Sequence, residues 1–153
     1  GYKFSVECVE NLAARFPKNI IGVKDSSYNL MGNLNIKNFS ILPGSELKLL
    51  SGLKKDCSGI ITATCNVTAK LARKVFDDFE QNIDQTVNDK LCEVRKAFDQ
   101  FNLISGLHSF LSLTDKQFLN ILPTCSLLSK QDEKTLIDKL KDLNFLEKDF
   151  KAA

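Results

Sequence analysis

Three short apolar runs, at 20–24, 39–42 and 59–63, recur about every twenty residues in the first half of the chain, with helical spacing between them. This alternation predicts βα units and a parallel sheet. Parallel strands are buried on both faces, which is why such runs read as almost continuously apolar. A helix is predicted over 5–16, with Ser5 as its cap and Val6, Val9, Leu12, Ala13 and Phe16 on one stripe. Residues 25–38 read as a loop with a short helix around 30–34. Pro43-Gly44 stops the second strand, and Ser45 caps a helix from 46 to about 55 through Leu47, Leu49, Leu50 and Leu53. A further helix over about 68–80 carries Leu71, Ala72, Val75, Phe76 and Phe79.

The second half carries no strand signal. Residues 85–102 read as a helix through Val87, Leu91, Val94, Phe98 and Phe101. Thr114-x-x-Gln117 resembles a capping box opening a helix to about Leu122, and Ser129-x-x-Asp132 a variant opening one over 130–143. The chain is therefore expected to divide into a βα segment, 1–82, and a helical appendage, 83–153.

Composition excludes several classes of function. A chain of 153 residues, 43% hydrophobic and 26% charged with net charge +2, has an ordinary globular make-up of about one domain. No like-charge block beyond Lys54-Lys55 supports nucleic-acid binding, and no apolar stretch approaches the ~18 residues of a membrane helix. The five cysteines form no CxxC and the only histidine is His108, so no metal site is expected and a reducing cytoplasm fits. His108 reads as a structural loop histidine, and Cys65 as a small packing residue. The start, Gly1-Tyr2-Lys3-Phe4, is neither a signal peptide nor an initiator methionine, so the chain is expected to begin inside something larger.

Lys24 ends the first apolar run, where a strand has little structural use for an ammonium group. Desolvation there favours the neutral amine, which is a nucleophile for carbonyls. A lysine that merely caps the strand and points to water is the simpler alternative. Strand parity places Ile20, Gly22 and Lys24 on one face, and Gly59, Ile61 and Ala63 together on one face of the third run. These small residues either leave room for a substrate or pack a tight interior. Ligand chemistry in parallel βα folds gathers at the carboxyl ends of strands. Lys24, Gly44-Ser45-Glu46 and Ala63-Thr64-Cys65-Asn66 all follow such ends.

Together, Ile20-Ile21-Gly22-Val23-Lys24-Asp25-Ser26-Ser27, Pro43-Gly44-Ser45-Glu46 and Gly59-Ile60-Ile61-Thr62-Ala63-Thr64-Cys65-Asn66 resemble the dihydrodipicolinate synthase/N-acetylneuraminate lyase family of class I aldolases. In overall texture the chain is most similar to that family's archaeal 2-keto-3-deoxygluconate aldolases. The resemblance implies a (β/α)8 barrel, of which this chain holds the C-terminal portion, strands six to eight, plus a helical appendage. It implies a cofactor-free, pyruvate-dependent lyase that cleaves 2-keto-3-deoxy sugar acids to pyruvate and an aldehyde. Lys24 would be the Schiff-base nucleophile, Gly44, Ser45 and Glu46 would lie near the substrate hydroxyls, and Thr62 and Ala63 would line the pyruvyl wall. The complete protein would be a homo-oligomer, a tetramer by resemblance.

The family's paired threonines, which grip the pyruvate carboxylate, and its fifth-strand tyrosine, the proton shuttle, have no counterpart here; Tyr2 and Tyr28 do not lie on a suitable strand. Three strands cannot close a barrel of about 250 residues. The chain is therefore expected to be a fragment with little aldolase activity alone. Dihydrodipicolinate synthase activity, condensing pyruvate with aspartate semialdehyde, is one alternative. A non-catalytic helical assembly module or degenerate paralogue is another.

Overall fold

Ser5 opens the first helix as its pattern predicts: the Cys8 N–H donates to Ser5 Oγ at 3.1 Å. In the computed structural model, which describes residues 3–146, this helix is α1 (Val6–Arg15), followed by β1 (Gly22–Asp25) and β2 (Ser40–Pro43). Then come α2 (Leu49–Leu53), α3 (Cys65–Glu80), α4 (Asn88–Phe98), α5 (Leu103–Leu111) and α6 (Lys130–Asp142), with 3-10 turns at Glu46–Lys48 and Lys116–Leu119. The chain forms two compact units. The first is Gly1–Thr62 with Val75–Gln85, and the second is Ala63–Lys74 with Thr86–Ala153.

In the first unit β1 and β2 pair in parallel, Gly22 opposite Ser40, Val23 opposite Ile41, Lys24 opposite Leu42 and Asp25 opposite Pro43. Alternation sends Val23 and Ile41 to one face, where they pack with Val9, Leu30, Leu34 and Cys57. The other face is open: Lys24 is exposed and Leu42 half-buried. The expectation of strands buried on both faces thus holds for one face only. Gly22 settles its part of the parity question in favour of packing, since a Cβ there would stand 2.8 Å from the Ser40 carbonyl oxygen.

The third apolar run, 59–63, does not form a strand. It lies along β2, with the Ser58 and Ile61 N–H groups donating to the Ile41 and Pro43 carbonyls at 3.0 and 3.1 Å. A parallel ladder alternates donors from both chains. Pro43 has no N–H to return, and Gly59 at φ 137° breaks the extended path.

Other boundaries move for local reasons. The helix predicted over 46–55 divides into a 3-10 turn and the five-residue α2, and the helix expected around 30–34 is one turn, with Asn33 and Leu34 N–H donating to Leu30 O. The helix α3 begins at Cys65 rather than 68. The helix predicted over 85–102 ends at Phe98, and a separate helix, α5, follows. Asn102 starts α5 by accepting from the Ile104 and Ser105 N–H groups, both at 3.1 Å. Thr114 is no cap: its hydroxyl donates back to Leu111 O, while Asp115 caps the 3-10 turn by accepting from Gln117 N–H at 2.8 Å. Ser129 caps α6, with Asp132 N–H donating to Ser129 Oγ at 3.1 Å, and the Ser129 hydroxyl, rather than its backbone N–H, donates to Asp132 Oδ2 at 2.8 Å.

The second unit is built around α4, α5 and α6. Leu91, Val94, Phe98, Leu136, Leu140 and Phe145 are fully buried. Phe98 meets Phe110 edge to face at 5.7 Å, and Phe110 stacks on Phe145 at 6.3 Å.

Candidate functional site at the strand ends

The carboxyl ends of β1 and β2 are joined beyond the ladder, because the Gly44 N–H donates to Asp25 O at 3.2 Å. The two turns approach closely: a Cβ on Gly44 would lie 2.8 Å from Ser26 Oγ. Glycine at 44 is therefore set by the contact between turns.

Lys24 stands at this rim, exposed, with its strand partner Leu42 beside it. The sequence predicts a desolvated amine here. The two-stranded ladder offers no opposite wall, so the side chain is exposed to solvent in this chain. Its neighbour Asp25 points the other way and is buried, and Oδ2 accepts from Leu30 N–H at 2.9 Å and Met31 N–H at 3.0 Å. Asp25 therefore folds the loop after Lys24 back onto its own strand. Sequence reasoning gave it no role, although an acid directly after a strand-end lysine was the available signal. Replacing Asp25 with Ala orphans two N–H groups that a charged acceptor satisfied. An expected loss of about 2–3 kcal/mol follows, measurable as a lower urea midpoint with Asp25→Asn losing less.

Ser45 and Glu46, placed by the resemblance near substrate hydroxyls, are both buried. Ser45 Oγ accepts from Leu47 N–H at 3.3 Å and caps the 3-10 turn. Glu46 is fully buried, and its Oε2 accepts from the Thr62 hydroxyl at 3.0 Å. That bond ties the segment after residue 59 to the turn after β2. Glu46→Ala is expected to cost about 2 kcal/mol of stability by leaving the half-buried Thr62 hydroxyl without its acceptor, and thermal unfolding of the pair Glu46→Ala and Glu46→Gln checks it, Gln losing less.

Two further groups stand at the rim. Tyr28 lies in the loop that Asp25 holds, and the Lys48 ammonium sits over its ring, 5.3 Å from the centroid. Cys57, beneath the strands, is a packing residue: burial foremost, then the carboxylates of Asp25 and Asp56, push its thiol up, away from the reactive thiolate.

Ala63 belongs to the second unit and is exposed in the turn that opens α3. Its carbonyl accepts from the Asn66 side chain at 2.8 Å and from the Asn66 N–H at 3.2 Å. Thr64 is fully buried, and its hydroxyl accepts from Arg95 Nη1 at 3.3 Å, while Arg95 Nε donates to Asp99 at 2.8 Å. Ala63 and Asn66 wall a cavity of about 320 Å³ with Ile104, Leu107, His108 and Phe118. His108, read from the sequence as a loop residue, lies on α5, and its Nδ1–H donates to Phe118 O at 2.9 Å, which makes it structural. The structure thus gathers Lys24, Gly44, Ser45, Glu46 and Thr62 in one unit and places Ala63 in the other. Tyr2 lies outside the described residues. Among the described residues no three of His, Cys, Asp and Glu gather as a metal site, and no helix is long and apolar enough to cross a membrane.

Residues 1–143 match the dihydrodipicolinate synthetase family. The chain belongs to that family. Solved dihydrodipicolinate synthases share its fold. One from Bacillus anthracis superposes with a TM-score of 0.78 at 16% identity, covering 90% of this chain and 49% of that one. One from Cyanidioschyzon merolae with lysine bound gives 0.79 at 14% identity, covering 93% and 50%. One from Aquifex aeolicus gives 0.78 at 19% identity, covering 94% and 52%. A comparison with curated proteins finds no match. This dihydrodipicolinate synthetase family member spans about half the length of those solved chains. The family fold is a (β/α)8 barrel, and this chain carries part of it with helices: β1, β2 and the segment at 59–63 are barrel pieces, and α4 to α6 form a helical bundle.

Proposed function

We propose that Lys24 is the Schiff-base nucleophile of a pyruvate-dependent class I aldolase. On this reading residues 1–82 supply the barrel part of the site and residues 83–153 a helical appendage used in a homo-oligomer. The observation that carries it is the position of Lys24: a lysine at the carboxyl end of β1, beside the Gly44 turn, in a chain of this family. The amine attacks the C2 ketone, water leaves, and the resulting iminium accepts the electron pair released when the C3–C4 bond breaks. Gly44 holds the two strand-end turns together, Thr62 lines the pyruvyl side, and the relay proton is carried by a phenol outside this chain.

The substrate proposed is a 2-keto-3-deoxy sugar acid. Condensation of pyruvate with aspartate semialdehyde is the second reading, favoured by the family description and by the names of the solved relatives. A substrate screen of the complete enzyme separates them, sugar-acid cleavage supporting the first. Alone, the chain is expected to be nearly inactive, because its Lys24 is exposed and lacks a carboxylate grip. Pyruvate with borohydride should then label Lys24 of the isolated chain no faster than its other exposed lysines, and preferential labelling would contradict the fragment reading.

A further inference from the structure

The charges at the strand-end rim are sorted by sign. In the stretches 24–31 and 43–50 the ionisable acids and lysines are Lys24, Asp25, Glu46 and Lys48. Both carboxylates are buried and turned onto protein donors, Asp25 onto the Leu30 and Met31 N–H groups and Glu46 onto the Thr62 hydroxyl. Both lysines reach solvent: Lys24 is exposed and Lys48 half-buried. The surface these stretches offer to a ligand is therefore cationic.

Lys48 is held without being neutralised. Among the described residues it has no ion-pair partner, and its ammonium rests on the face of Tyr28 at 5.3 Å. A ring face attracts the cation but leaves its N–H donors free for an anion. Tyr28 is itself in an unusual state, in the left-handed region at φ 56°. A bulky residue rarely adopts that conformation, and such outliers gather at ligand-binding places. Among the described residues the phenol has no hydrogen-bond partner, so it remains available as a second donor.

We propose that Lys48 and Tyr28 form a subsite for an anionic group, phosphate or carboxylate, at the end of the substrate remote from the keto acid. The proposal deepens the aldolase reading and rests on it: Lys24 takes the carbonyl and Lys48 takes the distal anion, so the aldehyde half of the substrate is charged. A sugar acid whose aldehyde half is uncharged would leave the Lys48 site unused.

The test is an amide-shift titration of the full 153-residue chain with glycerol 3-phosphate, D-glycerate and glycerol. Shifts centred on Tyr28 and Lys48 are expected with one or both anions and not with glycerol, and the stronger anion identifies phosphate or carboxylate. Lys48→Gln should weaken binding about fivefold, Lys48→Arg should retain it, and raising the salt should weaken it. Tyr28→Phe should keep the ring contact and lose part of the affinity. Overlaid spectra of each variant without ligand establish that it folds. Absence of shifts at Tyr28 and Lys48, equal shifts with glycerol, or undiminished binding in Lys48→Gln would overturn the subsite. The titration needs no chemistry at Lys24, so binding at Tyr28 and Lys48 alongside failed imine trapping at Lys24 of the complete parent enzyme would overturn the nucleophile assignment alone.

Discussion

Phe98→Ala is expected to lower the stability of the helical unit by about 4 kcal/mol. Phe98 is fully buried at the end of α4 and meets Phe110 edge to face at 5.7 Å, and Phe110 in turn stacks on Phe145. Truncation removes the ring's transfer free energy and leaves a cavity that three packed helices cannot collapse onto. Phe98→Leu fills much of that space and should lose less than half as much. Urea unfolding followed by far-UV circular dichroism checks the ratio. Equal losses for Ala and Leu would mean that the aromatic contact, and not the volume, carries the effect.

Lys24→Ala is expected to abolish carbon–carbon cleavage in the complete enzyme and to leave the stability of this chain nearly unchanged. No other residue at the rim replaces a primary amine that forms an iminium: Lys48 is held over Tyr28, and removing the covalent electron sink removes the path for C3–C4 cleavage. In this chain the exposed lysine on an open strand face contributes little to folding, so the thermal midpoint of its Lys24→Ala variant should stay close to the parent. Lys24→Arg keeps the charge and should be equally inactive, which separates nucleophilicity from electrostatics. Substantial turnover in either variant would refute the role.

Much of this arrangement was legible in the sequence. The βα alternation, the caps at Ser5 and Ser129, and the strand-end position of Lys24 all follow from local pattern, and local patterns survive when tertiary packing agrees with them. The misses have physical causes. Residues 59–63 read as a strand by composition, but a ladder also needs donors on the facing strand, and Pro43 withholds one. The α5 helix is hidden because Ser105, Gly106 and Ser109 interrupt its apolar stripe; all three are buried, Gly106 facing Phe98 and Leu136. Asp25 looked like a loop residue because its partners, the Leu30 and Met31 N–H groups, come within reach only once the loop has folded back. A strand-end position alone implies a desolvated Lys24, whereas desolvation depends on walls contributed by distant residues.

Ser45 and Glu46 show a related limit. Their order in the sequence agrees with a substrate-binding turn, but the backbone directs both side chains inward, and the polar residues that reach solvent at that rim include Lys24, Ser26, Ser27, Tyr28 and Lys48. Residue types at the right spacing fix the turn, while the orientation of each side chain is decided by which donors it meets.

The role of Lys24 is tested most directly by peptide mapping of the complete enzyme after reduction with borohydride in the presence of pyruvate. One stoichiometric adduct is expected, on the peptide that carries Lys24, and it should disappear in Lys24→Ala. An adduct on another lysine, or one that persists in Lys24→Ala, would contradict it.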